Sequence, residues 1–469
     1  MQTFISKYGT AAHLAFLAVA PLFLYPFCSG HSIALTILWM SLLVAVWVFI
    51  EPSRRSDEML HDARERVLRA VFHDPLMWIM LLLTVIAGIR WANGGVGMVY
   101  DAELASWKIS EPALRFFPAS AKGAGELPFA VSVALTVLLA GCRHALGKSA
   151  RISFLAISSF MAATGAVVAA TAFACGNEGA VAASKCDVRT ASYVGSAYGL
   201  YFLGGIVAIV GAFECRWNKL LLVFAFAVGG SATGLYFFAP VPVIFAYLVA
   251  GLVLLVASGG YAGWTQSGSI PFKCLAAMIL ASLIPVLCVM GFASAELNET
   301  RFSVFGEGGT LFSSGFFPLR EKLSEIAAQV WNDHPWVGTG VGAFPLDVRF
   351  NATESDWSMI ATGQASAING WWQLLAERGI TGAMAFVLVL VALLCTFIRR
   401  LCGAFRRSFF LPACILGPVA LLVVAAETFV DASFLRPDVM LAVGAFFALA
   451  GSSFPPVKKA ARSETNKVE

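Results

Sequence analysis

Residues 379–400 read GITGAMAFVLVLVALLCTFIRR, twenty consecutive residues without a charge closed by Arg399 and Arg400. A helix that crosses a bilayer needs about 20 mainly apolar residues, and paired arginines mark the cytoplasmic end of such a helix. The run reads as a membrane span. Working outward, apolar runs bounded by charges, proline or glycine recur near 10–28, 32–50, 75–91, 127–142, 152–174, 194–214, 219–238, 241–258, 272–293, 409–428 and 437–454. With 379–398 they make twelve, and the expected fold class is an all-α polytopic membrane protein with about 12 transmembrane helices. The first segment, 10–28, has no strongly basic start and no small-residue cleavage site, so it is read as a retained helix.

Composition agrees. Of 469 residues, 59% are hydrophobic and 13% charged, and the mean hydropathy is +0.78, whereas an ordinary soluble domain carries about 25% charged residues. A soluble enzyme with a single anchor is excluded. The net charge of +4 gives no dense basic surface, so nucleic acid is not an expected partner. Ten cysteines are too sparse for a disulfide scaffold, although Cys175 and Cys186, beside one external connection, would be free to pair in an oxidising compartment.

Lysine and arginine set the orientation. The even-numbered connections hold fifteen of them, with Arg54, Arg55, Arg64, Arg66 and Arg69 in one and Arg399, Arg400, Arg406 and Arg407 in another. The short odd-numbered connections hold only Lys108, Arg115, Lys122, Lys185, Arg189 and Arg436. The positive-inside rule puts both termini in the cytoplasm. The chain then divides into spans one to nine (1–293), a large external loop (294–378), spans ten to twelve (379–454) and a cytoplasmic tail (455–469). A loop of that length is a functional candidate. A second external connection, 92–126, reads as a lid or an interfacial helix.

Within the large loop, PLREKLSEIAAQVWN (318–332) places Leu319, Leu323, Ile326, Ala327 and Val330 on one face, which predicts an amphipathic helix with Pro318 at its start and His334-Pro335 at its end. Arg320 and Lys322 fall in its first turn. There they are unfavourable for the helix dipole, and together with free backbone N–H groups they suit an anion. Next comes WVGTGVGAF (336–344), in which Gly338, Gly340 and Gly342 either form an anion nest or serve close loop packing. The loop ends in INGWWQLLAERGITG (368–382), where Trp371 and Trp372 suit a membrane interface or a sugar face. Arg301 and Arg349 add external positive charge, and Arg90, at the outer end of span three, either faces a cavity or snorkels.

These stretches together resemble the O-antigen ligase and O-antigen polymerase family of bacterial envelope glycan assembly. The arginine-led helix, HPWxGxGxGxF and NxxxQLLAExGxxG entering a span carry the likeness, and ETFVDASFLRP (427–437) resembles the family's closing segment. The resemblance implies glycosyl transfer on the periplasmic face of the cell inner membrane. The donor would be a glycan on undecaprenyl diphosphate and the acceptor a lipid A–core or other glycolipid. It implies no metal or other cofactor, and it makes Arg320 the diphosphate residue, since a planar guanidinium matches phosphate oxygens and stabilises the departing charge.

One departure matters. Where the family has His-Asn, this chain has Ile368-Asn369, and isoleucine accepts no proton. The remaining base candidates are Glu427, Asp431 and Glu377, carboxylates near external span ends, where partial burial raises the pKa of an acid. Glu427 leads because it falls inside an apolar span. His334 reads as a helix-ending residue. Two rival functions follow: a member that binds lipid-linked glycan without turning it over, supported by Ile368, and a lipid-linked glycan transporter, disfavoured by the scarcity of charges along the spans.

Overall fold

The computed structural model of the chain describes 72–92, 98–101, 106–109, 148–174, 195–214, 221–264 apart from 240, 316–352, 367, 369–407 and 411–430, with scattered positions in 129–136, 279–287 and 432–447. Arg301, Ile368, Asp431, Cys175 and Cys186 lie outside the described residues.

The described chain is dominated by helices. α1 (Pro75–Ala92) starts where Asp74 Oδ1 accepts the Leu76 N–H at 3.1 Å, with Pro75 in the first position. It is followed by an antiparallel ribbon of β1 (Met98–Asp101) and β2 (Ser106–Ile109), Met98 opposite Ile109 and Asp101 opposite Ser106. The connection expected as a lid or interfacial helix therefore contains a hairpin. Its sequences, MVYD and SWKI, are rich in the β-branched and aromatic residues that favour strands.

α2 (Lys148–Ala174), α3 (Gly195–Glu214) and α4 (Leu221–Phe238) form one packed group. Small residues let them approach: a Cβ added to Gly230 would lie 2.8 Å from the Ala163 Cα. Without such residues helix backbones cannot come this close. The hydroxyl of Ser231 donates to the Ser159 carbonyl at 3.2 Å, and that of Ser159 reaches the Tyr201 carbonyl at 2.7 Å, so α4, α2 and α3 are tied in turn. α5 (Val241–Trp264) packs on α3 and on α9 (Leu411–Glu427), and α9 packs on α8 (Gly370–Arg407). One face of α5 is apolar and exposed, with Phe245, Leu248, Val249, Leu252 and Val256 on it.

By length and composition, Gly370–Arg399 is the one helix among the described residues able to cross a membrane. The other apolar stretches, such as Pro75–Arg90, Leu221–Tyr236 and Cys414–Glu427, are shorter.

The large loop contributes α6 (Phe316–Asp333) and the short α7 (Phe344–Asn351). The apolar stripe of α6 is buried: Leu323, Ile326, Ala327 and Val330 pack with Phe344 and Val348 of α7 and Ala376 of α8. Glu321, Glu325 and Gln329 face outward. The loop thus has its own small core, one wall of which is the first part of α8.

Candidate functional site

Gly379 organises the site. It has φ 63°, a left-handed conformation inside α8, which costs an L-residue with a Cβ but not glycine. The break frees backbone groups that the helix would otherwise use. They are taken up by the turn after α6: Ile380 N–H donates to the Pro335 carbonyl at 2.9 Å and Thr381 N–H to that of Trp336 at 3.1 Å. In the other direction Thr339 N–H donates to the Ala376 carbonyl at 2.9 Å and Gly340 N–H to that of Glu377 at 2.8 Å. Loop and helix are clasped backbone to backbone. The contact is close because Gly338, also left-handed at φ 67°, would drive a Cβ into the backbone of Glu377 and Arg378.

This arrangement accounts for the glycine run. Gly338 N–H bonds to the His334 carbonyl, and Gly342 N–H donates to the Glu377 carboxylate, as does Phe344 N–H. Of the two uses open to these glycines, the described bonds belong to packing, and the anion on the Gly342 amide is the protein's own. Gln373 Nε2 also reaches Glu377 Oε1, at 3.3 Å. Glu377 is 3% exposed and so caps the start of α7, where Ala343 has no side chain to offer.

Beneath the clasp, Arg90 at the end of α1 crosses to the loop. Its Nη1 donates to the Val337 carbonyl at 2.8 Å and its Nη2 to that of Glu377 at 3.3 Å. Arg378 is buried with its guanidinium 3.7 Å from the centroid of the Phe129 ring. That geometry is a cation–π contact. Both arginines line one end of a cavity of about 430 Å³ that runs down α8 between α1 and α9. The rest of its wall is almost wholly apolar, with Met80, Val133, Val389, Leu393 and Val424 among the lining residues.

The other expected residues fall on the loop side of this cavity or beside it. Arg320 donates to the Phe429 carbonyl in the turn after α9, while Lys322 pairs with Glu325 at 3.3 Å along α6. Neither lines the cavity. Glu427, the last residue of α9, is 5% exposed and accepts the Tyr247 hydroxyl on Oε2 at 3.2 Å. It lies one turn beyond Val424, which lines the cavity, and is itself outside the cavity lining. Asn369 caps α8, its Oδ1 accepting the N–H groups of Trp371 at 3.1 Å and Trp372 at 3.3 Å. The Trp371 ring sits 5.6 Å from Phe386 and 5.7 Å from Phe429, and its indole N–H is buried without a partner among the described residues. Trp372 meets Trp331 at 6.3 Å.

Three participants carried no signal of their own in the sequence. Arg378 reads as a charge flanking a span, and its burial follows only from the Gly379 break. Tyr247 sits in an unbroken apolar run and meets Glu427 180 positions away. Asp347 receives the Thr339 hydroxyl at 2.8 Å. Burial pushes its carboxyl up to about 6, against the downward pull of the Thr339 hydrogen bond and nearby His334.

No protein-family model matches the chain, and no curated protein matches it.

Proposed function

We propose that the chain is a multi-pass protein of the bacterial inner membrane, with about twelve spans and both termini cytoplasmic, and that it moves a glycan from undecaprenyl diphosphate to a lipid A–core or lipid-linked glycan acceptor at its periplasmic face. It would serve lipopolysaccharide or related polysaccharide biosynthesis. The observation that carries this reading is the cavity: an apolar bore with two arginines, Arg90 and Arg378, at the end beneath the external loop. An apolar chain attached to a diphosphate matches that distribution of charge, since buried guanidiniums favour phosphate oxygens. The exposed apolar face of α5 supports a lipid environment.

In the transfer, the acceptor hydroxyl oxygen bonds to the anomeric carbon as the bond from that carbon to the diphosphate oxygen breaks. The diphosphate leaves with the electron pair, stabilised by arginine, and the hydroxyl proton passes to a carboxylate. We assign the proton to Glu427, since Glu377 is engaged by the turn of α7 and Glu427 is a buried carboxylate at the end of α9 whose described hydrogen bond is from the Tyr247 hydroxyl. Arg320, bonded to the turn that follows Glu427, joins the diphosphate side. A second reading, binding of lipid-linked glycan without turnover, is favoured by Ile368 at the position of the family's histidine.

The test is turnover by the purified chain in lipid, supplied with a polyprenyl-diphosphate oligosaccharide and a panel of acceptors. Acceptor-dependent release of free polyprenyl diphosphate, lost by a factor of about one hundred or more in Glu427→Gln with donor binding intact, is expected. Donor binding without release across the panel selects the second reading. Absence of both rejects the donor assignment.

A further inference from the structure

We propose that the external loop rests on the outer face of the bilayer through Trp336, whose ring lies in the lipid headgroup layer and fixes the depth of the arginine end of the cavity. The inference rests on the membrane reading above and not on the transfer chemistry.

Trp336 is 70% exposed, more than any other large apolar side chain among the described residues. An indole, apolar in its body with a polar N–H, suits the boundary between hydrocarbon and water. The two tryptophans that the sequence suited to that boundary are turned onto the protein instead, Trp371 against Phe386 and Phe429 and Trp372 against Trp331. The place of Trp336 is set by its backbone. Its carbonyl accepts the Thr381 N–H at 3.1 Å and the Thr381 hydroxyl at 2.9 Å, so the residue stands level with the first turn of α8 beyond the Gly379 break.

From that level an apolar stripe runs down α8. Ile380, Met384, Val387, Leu388, Val391 and Ile398 are all exposed, and their spacing from Ile380 is that of one helix face. Leu393 and Phe397, on the opposite face, are buried. At ~1.5 Å per residue, Ile380 to Ile398 measures about 27 Å, and a bilayer's hydrocarbon core is ~30 Å thick. The two lengths agree to within one helical turn. Below the stripe comes exposed Arg399, followed in sequence by Arg400, and this positive charge complements the anionic lipids of the cytoplasmic leaflet. With the arginines at the inner boundary, the outer boundary falls at Ile380 and therefore at Trp336. The next residue, Val337, lines the cavity and accepts Arg90 Nη1 at 2.8 Å. The guanidinium end of the cavity thus lies where lipid phosphates lie, and not out in the aqueous phase.

The experiment is spin-label accessibility in the full-length chain reconstituted in vesicles of phosphatidylethanolamine and phosphatidylglycerol. A nitroxide is introduced as a single unnatural residue at 336, at Gln329 on the outward face of α6, or at Val391 within the stripe, and its collisions with dissolved oxygen and with a water-soluble nickel chelate are compared. Oxygen should dominate at 391 and nickel at 329. The ratio at 336 should place that label within about 5 Å, one helical pitch, of the lipid phosphates. Since the label replaces the ring, a second measurement keeps the native side chain: the emission lost in Trp336→Ser should be quenched more by lipids brominated near the headgroup than by lipids brominated in mid-chain. Nickel access at 336 equal to that at 329, absence of quenching by either lipid, or an oxygen excess at 336 equal to that at 391 would overturn the inference while leaving the span in place. Nickel dominance at 391 as well would remove the membrane reading itself.

Discussion

At the scale of single residues, Gly379 is the position on which most geometry depends. It holds a left-handed φ of 63°, and a Cβ there would collide with the backbone of Trp336 and Val337. Gly379→Ala therefore combines conformational strain of about 1–2 kcal/mol with a collision that parts loop from helix. The expected result is a thermal midpoint several degrees lower for the purified protein and faster proteolysis within 334–343, and a variant as stable as the parent would show that the break is not needed. The glycine pair at 379 and 382 was legible in the sequence. What the sequence left open was whether the glycines hold a ligand or the chain, because the answer depends on Glu377, whose carboxylate takes the Gly342 amide. Asn369, grouped with the binding residues by motif, starts a helix by accepting the amides of Trp371 and Trp372.

Among elements, α6 and α7 are the ones whose docking responds to pH. Asp347 is lifted to about 6 in the folded loop, from about 3.9 when unfolded, so the fold binds this proton more tightly than the open chain does. The protonated form is the favoured one in the docked loop: its contribution is fully present below about pH 4, declines as pH rises through 6, and is absent above. Amide exchange in 339–352 should accelerate between pH 4 and 6 beyond the intrinsic rate, and Asp347→Asn should flatten that rise while keeping the Thr339 hydrogen bond. An unchanged profile in the variant would assign the dependence to another group. The helix containing Asp347 was not foreseen, since eight residues give too short a period to read, whereas α6 was legible because its stripe runs through three turns. The hairpin at 98–109 was missed for a related reason: four-residue strands of MVYD and SWKI show little alternation, and mixed charge there resembled an interfacial segment.

For the molecule as a whole, the helices found at 75–92, 148–174, 195–214, 221–238, 241–264 and 411–427 coincide within a few residues with expected spans, because long apolar runs bounded by charge are the strongest signal a sequence offers. The topology built on them makes its own prediction. An epitope placed after Gly309 should be reached by antibody in intact spheroplasts, and one placed after Glu469 only after permeabilisation; both accessible from the same side would refute the three spans expected between them. The cavity was beyond the sequence altogether, since its walls come from α1, α8, α9 and the residues near 133 and 443, and only Arg90 hinted at it. The clasp has one more effect on the whole chain. Ala352 N–H donates to the Val348 carbonyl and Ala367 N–H to Gln373 Oε1, so both margins of the fourteen residues between them are moored to the scaffold. Loop closure costs only ~0.6 kcal/mol per doubling of length, so residues inserted between these two moorings, a reporter for example, are expected to leave the helix below fastened, read as an unchanged thermal midpoint of the purified protein.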